Sequence, residues 1–562
     1  MWAEISVALF PREPDRASPA TILPASVLGP WLPLSCILLV SLALLAAGIK
    51  RDLPFTPEID EPHFVEPAVN IAATGDLNPR EFENPGSTVI YPLAGIYHVW
   101  NAVAHDGTLF RSDPGLRATV ESNPSEFYLL GRLLTISYAV MTVPLIFLIG
   151  RRAFGERVGL IGSGLFVLYP LAVTHAQMVR TDSAATFFGM LGVWMCLRLY
   201  DRPTTGNQIL AGFAIGLAIA SRYFMVALIP VLLAVGGMIL WRQISQADKL
   251  KATWVGIGAG VLAVAVGFAV TTPYFFLDFT AAWQEVTFQA GHSNHLGADG
   301  LSPPENFLWY LTRAIPLSIT WPEAILAASG VALVVWRRRF KQILLVLFTV
   351  VFLVGISRAP LHWQRWIIQI LPILALLVAY AIAEVAGWLA RRLQAKMVLQ
   401  LAILVLAGLA VAAWPGYKVM LQDIQQARPS TRILAREWIF ANVPVGSRLA
   451  QEWYTAPSLG DAHLDVLAMP SLGGRGLGEY RREGFEYLVV SSWTYDRYLA
   501  EPQRYEGQAL FYRSLFEEGD ILQWFRPSNT RGGPEIRIYR LATATAPEVQ
   551  PPDRGPRQAL GP

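Results

Sequence analysis

Long apolar runs separated by short polar loops dominate this sequence. A helix needs about 20 consecutive, mainly apolar residues to cross a bilayer, and eleven runs approach that length, two of them short. They are Leu32–Ile49, Tyr128–Gly150, Val158–His175, Ser183–Tyr200, Gln208–Ala220, Phe224–Trp241, Thr253–Thr272, Trp321–Trp336, Ile343–Ser357, Trp366–Leu389 and Val398–Trp414. The pattern predicts a mainly α-helical, polytopic membrane protein with about 11 transmembrane helices.

Composition agrees with this prediction. Hydrophobic residues make up 53% of the 562 residues and charged residues only 15%, whereas soluble domains carry about 25% charge. The two cysteines, Cys36 and Cys196, lie inside apolar runs, which argues against a disulfide framework or a cysteine metal site. The net charge of +3 is small and gives no indication of a nucleic-acid partner.

The distribution of Lys and Arg predicts the orientation. Cytoplasmic loops of membrane proteins carry an excess of these residues. One set of alternating loops contains 15 of them and the other set contains 4. We therefore expect a cytoplasmic N-terminal segment at 1–31, with a first span that is retained rather than cleaved. Large outer loops are then predicted at 50–127 and 273–320, and an odd number of spans places the C-terminal part outside.

Two regions outside the spans have their own patterns. Val89–Val103 is too short to cross a membrane and is predicted to be an amphipathic helix on its surface. Residues 416–541 mix helical patterns with strand-like runs such as FEYLVVSS and PEIRIYRL, which predicts a small extracytoplasmic α/β domain. The Pro-rich tail, 542–562, has no apolar period and is predicted to be disordered.

Four arginines are exceptions to the cytoplasmic excess of Lys and Arg, because they lie at the predicted outer ends of spans: Arg180, Arg222, Arg358 and Arg365. A guanidinium group can donate two parallel hydrogen bonds to a phosphate. Each of the four alone is explained equally well by snorkelling or by a structural ion pair. Four on one membrane face favour a shared phosphate site.

Carboxylates are predicted on the same face. Asp60 and Glu61 follow the first span, Glu83 lies later in that loop, and Asp182 begins a helix. A carboxylate can accept the proton of an acceptor hydroxyl that attacks a sugar, while arginines stabilise a departing phosphate. A turn before Pro62 would also explain Asp60, and a favourable helix-dipole interaction would also explain Asp182.

The stretch AGHSNHLG contains His292 and His295. Histidines at this spacing would share a face and bind a metal in a helix, but the flanking glycines favour a loop. Hydrogen bonding to a phosphate or sugar, or simple loop polarity, explains them as well.

The stretch IDEPHFVEPAVNIAATGDLNPREFENP resembles the first outer loop of the protein O-mannosyltransferase and aminoarabinose-transferase superfamily, which is similar to glycosyltransferase family 39 and uses polyprenyl-phosphate sugars on a GT-C fold. RTDSAATFF, GLAIASRYFMVALIP, AGHSNHLG and QRWIIQILP resemble further segments in the same order. The resemblance covers roughly 49–414. It implies that residues 32–415 form a GT-C transmembrane catalytic domain.

The resemblance also implies roles. Asp60 matches the catalytic base, with Glu61 beside it, and Asp182 matches a second acidic position. For binding of the donor phosphate or sugar, the resemblance points to His63, Glu83, Arg222 and Arg365, and the sequence pattern described above adds Arg180, His292 and Arg358. One position departs from the family, because this chain has Asn84-Pro85-Gly86 where members have a Pro-Pro pair after Lys or His.

The implied activity is transfer of a sugar, mannose-like or another, from a polyprenyl-phosphate donor to a hydroxyl on a protein, lipid or glycan. It would take place at the outer face of the plasma (inner) membrane. No nucleotide or tightly bound redox cofactor is implied, and use of a divalent cation is left open. Two alternatives are a polyprenyl-lipid transporter or flippase, which usually carries charges near the bilayer midplane, and a non-catalytic lipid-binding assembly factor.

Overall fold

A computed structural model describes residues 29–55, 58–83, 85–105, 112–291, 299–459 and 463–541. It divides into two compact units. The first runs to Arg428 and includes Asn529–Arg531, and the second contains Pro429–Ser528 and the chain from Gly532 onward. The predictions for 1–28, for the tail 542–562 and for His292 and His295 fall outside the described residues.

The first unit is helical. Its helices are α1 Trp31–Ala47, α2 Pro62–Thr74, α3 Ser87–Ala104, α4 Leu116–Ser122, α5 Pro124–Ala153, α6 Glu156–Val167, α7 Pro170–Ala176, α8 Asp182–Asp201, α9 Thr205–Ser221, α10 Ile229–Arg242, α11 Ala247–Thr271, α12 Tyr274–Leu277, α13 Phe279–Gly291, α14 Pro303–Trp309, α15 Ile315–Ile319, α16 Trp321–Arg337, α17 Phe340–Ile356, α18 Leu371–Arg392 and α19 Met397–Gln426. Tyr223–Leu228 and Gln364–Ile370 are 3₁₀ turns that lead into α10 and α18, and Tyr310–Ala314 is a π-helical turn.

Six helical stretches of the described chain are long and apolar enough to cross a membrane: Pro124–Ala153, Asp182–Asp201, Tyr223–Arg242, Lys249–Thr271, Gln364–Arg392 and Met397–Asn442. Two bent pairs, α6 with α7 and Pro303–Ile319 with α16, raise the number to eight if each pair forms one span. Three more apolar helices, α1, α9 and α17, have 17 residues each. The predicted mainly helical membrane protein is confirmed, whereas the number of eleven spans stays a prediction.

The core of this unit surrounds α18, in which every residue from Leu371 to Ile382 is buried. Small residues bring α9 and α11 into close contact. A Cβ atom added at Gly212 would lie 2.0 Å from the carbonyl oxygen of Gly260, and one added at Gly216 would lie 2.5 Å from that of Val264. Glycines at this spacing allow the backbones of membrane helices to approach closely.

The first outer loop is folded. The predicted helix at Val89–Val103 is observed as α3, whose Leu93 and Tyr97 are buried in a cluster with residues of α2, while Val99 and Val103 are exposed. Pro62 begins α2, where the missing N–H of proline is harmless and its φ suits a first helical turn. This start places Asp60 and Glu61 in the turn that leads into the helix.

The second unit contains a five-stranded sheet with the order β2-β1-β3-β5-β4. The strands are β1 Arg448–Glu452, β2 Asp465–Met469, β3 Tyr487–Ser491, β4 Asp520–Phe525 and β5 Ile536–Arg540, and the helices are α20 Thr431–Asn442, α21 Leu477–Arg482, α22 Ser492–Ala500 and α23 Glu506–Glu518. β1 is parallel to β2 and β3, whereas β5 is antiparallel to β3 and β4. The predicted small sheet domain is confirmed, including strands at FEYLVVSS and PEIRIYRL.

Alternation along β3 builds a core on both faces of this sheet. Leu488 and Val490 pack in one apolar cluster, and Tyr487 and Val489 pack in another, as the two-residue period of a strand requires. At the end of β1, the wholly buried Glu452 accepts hydrogen bonds from the N–H groups of Leu472 and Ser491. Burial raises the pKa of Glu452 to about 7.

Candidate functional site

Asp60 lies at the meeting point of three segments that are distant in sequence. An Nη2 of Arg180, just before α8, lies 2.7 Å from Oδ2 of Asp60. The same oxygen pairs with Arg365, in the 3₁₀ turn before α18. Arg180 also lies 3.8 Å from Glu58. The fold therefore brings the first outer loop together with the entrances to two buried helices.

The two arginines control the charge of Asp60. Burial acts to raise the pKa of this carboxyl group, but the positive charges of Arg365 and Arg180 outweigh burial and hold it well below its usual range. Asp60 is therefore an ionised carboxylate at neutral pH. An ionised carboxylate in a cleft can serve as an anionic partner or as a proton acceptor.

A second ion pair lies beside the first. Arg222, which follows α9, pairs with Asp182, the first residue of α8. The amide nitrogen of Gln369 is 3.2 Å from Oδ1 of Asp182. Arg180 also contacts Nδ1 of His175 at 3.0 Å. Three guanidinium groups and two carboxylates thus line one cleft, whose walls are Asp60, His63, Phe64, Arg180, Thr181, Asp182, Arg222 and Arg365.

A larger cavity of about 400 Å³ adjoins this cleft and shares Thr181, Arg222 and Arg365 with it. The rest of its wall is mainly apolar and aromatic, with two further charged side chains: Glu83, Pro85, Tyr223, Phe224, Val286, Gly355, Arg358, Ala359, Pro360, Leu361, Trp363 and Trp366. A polar cleft that continues into an apolar cavity suits a ligand with an anionic head and a hydrocarbon tail.

Glu61 lines neither the cleft nor the cavity. Its carboxylate is wholly buried and accepts hydrogen bonds of 2.9 and 2.8 Å from Nε and Nη2 of Arg132, which is also buried. It accepts a third bond, of 2.9 Å, from the N–H of Val179. Sequence reasoning grouped Glu61 with the catalytic acids, whereas this geometry makes it a link between the Asp60 turn and the segment that carries Arg180.

The remaining predicted residues lie at the rim. His63 lines the cleft, and its Nδ1 is 3.3 Å from Glu81; this hydrogen bond raises the pKa of His63. Glu83 lines the cavity, where burial and the neighbouring Glu81 raise the pKa of its carboxyl group. Arg358 lines the same cavity. Eight of the ten predicted residues therefore border one connected space, Glu61 lies behind it, and His292 is outside the described residues.

Sequence reasoning missed several partners of these residues. Gln369 and His175 are polar residues inside apolar runs, and that signal alone marks a residue as functional or paired. Arg132 lies in a predicted span and carried the same signal. Glu285 carried no such signal in the sequence, yet its carboxylate accepts hydrogen bonds from the backbone N–H groups of Phe82 and Glu83. Across the described ranges, no three or more His, Cys, Asp or Glu side chains are grouped so that they could hold a metal ion.

Comparison with protein families and curated proteins gives two matches. Residues 129–272 match the family described as dolichyl-phosphate-mannose-protein mannosyltransferase. The chain is also similar to undecaprenyl phosphate-alpha-4-amino-4-deoxy-L-arabinose arabinosyl transferase 1 of Pseudomonas fluorescens, with 25% identity over 342 residues. That alignment covers 59% of this chain and 60% of the relative, so the chain matches less than two thirds of the relative's length.

Solved structures give the fold. ArnT from Cupriavidus metallidurans, bound to undecaprenyl phosphate, matches with a TM-score of 0.50 and 15% identity over 93% of this chain and 100% of that one. The oligosaccharyltransferase AglB from Archaeoglobus fulgidus, in complex with an inhibitory peptide and a dolichol-phosphate, matches with a TM-score of 0.50 and 13% identity over 93% and 75%. The resemblance to the GT-C glycosyltransferases is confirmed, and the chain has their fold.

Proposed function

We propose that this protein is a membrane glycosyltransferase that transfers a sugar from a polyprenyl-phosphate donor to an acceptor hydroxyl. The observation that carries the proposal is the cleft of three arginines and two aspartates that opens, through Arg222 and Arg365, into a mainly apolar cavity. The bacterial relative is named as a transferase of an undecaprenyl-phosphate-linked sugar, which supports the same donor class.

The donor would bind across this boundary. Its phosphate would contact Arg222, Arg358 and Arg365, because the planar guanidinium group can donate two hydrogen bonds to phosphate oxygens. Its prenyl chain would lie among the aromatic side chains of the cavity, such as Phe224 and Trp366. The sugar would then project into the cleft that contains Asp60.

The reaction would exchange one bond at the anomeric carbon for another. The acceptor oxygen attacks from the side opposite the phosphate and loses its proton to Asp60. The bond between the sugar and the phosphate oxygen breaks, and its electron pair leaves with the lipid phosphate. The arginines stabilise the negative charge that develops there. Asp182 would hold Arg222 in position, and the configuration of the sugar would invert.

The finer topology is part of the proposal: eleven spans in the plasma membrane, with a cytoplasmic N-terminus and an outer catalytic site. A single cysteine placed after Trp414, in a background without Cys36 and Cys196, tests it. An impermeant maleimide should label this cysteine in intact cells. Labelling only after permeabilisation would reject the orientation.

The activity is tested with purified protein, a panel of polyprenyl-phosphate sugars and a membrane extract that supplies acceptors, by measuring the release of lipid phosphate. The panel includes mannose, aminoarabinose and arabinofuranose. Asp60→Asn should lower turnover by about 10²- to 10⁴-fold, the usual contribution of a general base. Asp76→Asn is the matched control, because Asp76 is an exposed acid of the same outer loop whose bonds to Asn78 and Arg80 are local.

The outcomes separate the parts of the proposal. Release that requires one sugar and requires Asp60 supports the enzyme and identifies its donor. Full turnover in Asp60→Asn rejects Asp60 as the base. Folded protein that releases no phosphate from any donor rejects the transferase and favours a lipid-binding or transport protein.

A further inference from the structure

Helix α13 forms part of the wall of the cavity and exposes an apolar surface on another side. Val286 lines the cavity, and Ala282 is buried. Phe279, Trp283 and Phe288 are each about half exposed. The helix follows the membrane-spanning α11 after only the short α12, which also exposes Phe276 and Leu277. An exposed aromatic and aliphatic surface next to a span is typical of a helix seated in the bilayer interface.

Helix α13 and the residue before it are also hydrogen-bonded to the first outer loop. Oε2 of Glu285 accepts hydrogen bonds from the N–H of Phe82 at 2.6 Å and from the N–H of Glu83 at 3.1 Å. At the start of α13, Asp278 accepts a bond of 3.0 Å from the side-chain amide of Asn78. Asp278 and Glu285 are separated by about two helical turns, and together they bind the loop to the helix.

The backbone at Phe82 is held from the opposite side as well. The hydroxyl of Tyr223 donates a hydrogen bond of 3.1 Å to the carbonyl of Phe82. Tyr223 follows Arg222 directly, and Phe82 itself is buried. One short stretch of backbone therefore joins three parts of the cavity wall: the loop that carries Glu83, the helix that carries Val286, and the segment that carries Arg222.

We propose that Glu285 is a positioning residue that couples the lipid-facing helix α13 to the cavity and so keeps the wall closed around the prenyl chain of the donor. This inference rests on the proposed function. Glu285 contacts neither the phosphate-binding arginines nor Asp60 through any described hydrogen bond or ion pair. Its loss should therefore weaken the binding of a long prenyl chain and leave recognition of the phosphate head unchanged.

The test compares two ligands on the full chain in lipid nanodiscs: undecaprenyl phosphate, whose chain is long, and geranyl phosphate, whose chain is short. Glu285→Ala should reduce the affinity for undecaprenyl phosphate by at least about tenfold, because a charged acceptor of two hydrogen bonds is lost. Its affinity for geranyl phosphate should change by less than about twofold. Glu285→Gln keeps one acceptor oxygen and should restore most of the loss. Gln284→Ala, at an exposed neighbour on the same helix, should bind both ligands like the wild type.

Three results would count against the inference. Wild-type affinity for undecaprenyl phosphate in Glu285→Ala would overturn it while leaving the proposed function intact. Equal losses for both ligands would also overturn it, because they would show general damage to the site. Wild-type protein that binds no undecaprenyl phosphate would instead reject the proposed function. If Glu285→Ala does not fold, Tyr223→Phe removes the hydrogen bond on the other side of Phe82 and should reproduce the selective loss.

Discussion

Replacing Glu61 with alanine should destabilise the protein strongly, although Glu61 lines neither the cleft nor the cavity. The substitution leaves Arg132 buried, with a side-chain exposure of only 1%. The bonds from Nη1 of Arg132 to the carbonyls of Ile49 and Arg51 remain. The Nε and Nη2 groups lose their carboxylate, and the N–H of Val179 loses its acceptor.

The magnitude follows from these losses. Removing one partner of a buried ion pair costs about 3–5 kcal/mol, and an orphaned buried N–H costs about 1–3 kcal/mol more. Folded proteins are stable by only about 5–15 kcal/mol. In a chain of this size each kcal/mol shifts the melting temperature by about 2 °C or less. We therefore expect Glu61→Ala to lower the apparent melting temperature in nanodiscs by about 5–15 °C.

Two companion variants make the measurement specific. Glu61→Gln keeps an oxygen for the Val179 N–H and should lose about half as much. Glu61→Gln combined with Arg132→Met removes the stranded charge and should be more stable than Glu61→Ala, since apolar replacements of buried pairs are often neutral. Glu66→Ala, at an exposed position of α2, the helix that follows Glu61, is the control. A melting temperature for Glu61→Ala within about 2 °C of the control would refute the reasoning.

Three further predictions concern packing, pH and the phosphate site. Gly212→Leu should abolish stable folding, because the leucine side chain would clash with the backbone of Gly260. The yield of monodisperse protein after extraction measures this. The control is Gly258→Leu on α11, which should fold normally because nothing lies within 4 Å of a Cβ added there. The sheet domain should lose roughly 3 kcal/mol of stability as pH rises from about 4.5 to 7, because folded Glu452 (pKa about 7) keeps a proton that the unfolded chain releases. Hydrogen exchange of the β-strands measures this dependence on pH, and Glu452→Gln should abolish it. An unchanged dependence in Glu452→Gln would contradict the assignment. Arg222→Ala should weaken the binding of polyprenyl phosphate by about tenfold or more, as expected for the loss of a charged hydrogen bond. Arg222→Lys should recover only part of this affinity, because lysine lacks the planar guanidinium group. Titration of both variants with undecaprenyl phosphate measures the two affinities.

The spans, the sheet domain and most rim residues were predictable because each leaves a local signal. Apolar runs marked the helices, alternation marked β3 and β5, and arginines at span ends stood out against the charge asymmetry. That Asp60 and Arg365 would meet across 305 positions did not follow from any local pattern. Only the resemblance to a known family placed Asp60 and Arg365 in the same predicted site.

Two features that the sequence did not reveal, the placement of Glu61 and the role of Glu285, also have physical reasons. Glu61 and Asp60 are adjacent and chemically alike, but successive residues in a turn point to different sides, so one carboxylate reaches the cleft and the other reaches Arg132. Nothing in the sequence predicts that choice. Glu285 lies on a helix that the sequence did not predict, and its partners are backbone N–H groups, which exist at every residue except proline and carry no pattern.

The pairing of Asp60 with Arg180 and Arg365 has a consequence for the timing of the proposed reaction. A donor phosphate bound to Arg365, as proposed, would replace Asp60 as a partner of that guanidinium group, which the pairing already orients before the ligand arrives. The negative phosphate would offset the positive charge that keeps the pKa of Asp60 low, and a carboxylate with less net positive charge beside it has a higher pKa. In the proposed mechanism, the base would therefore be weak before the donor binds, and donor binding would strengthen it. An acceptor that bound first would meet a weakly basic carboxylate, so this ion-pair network favours binding of the donor before the acceptor.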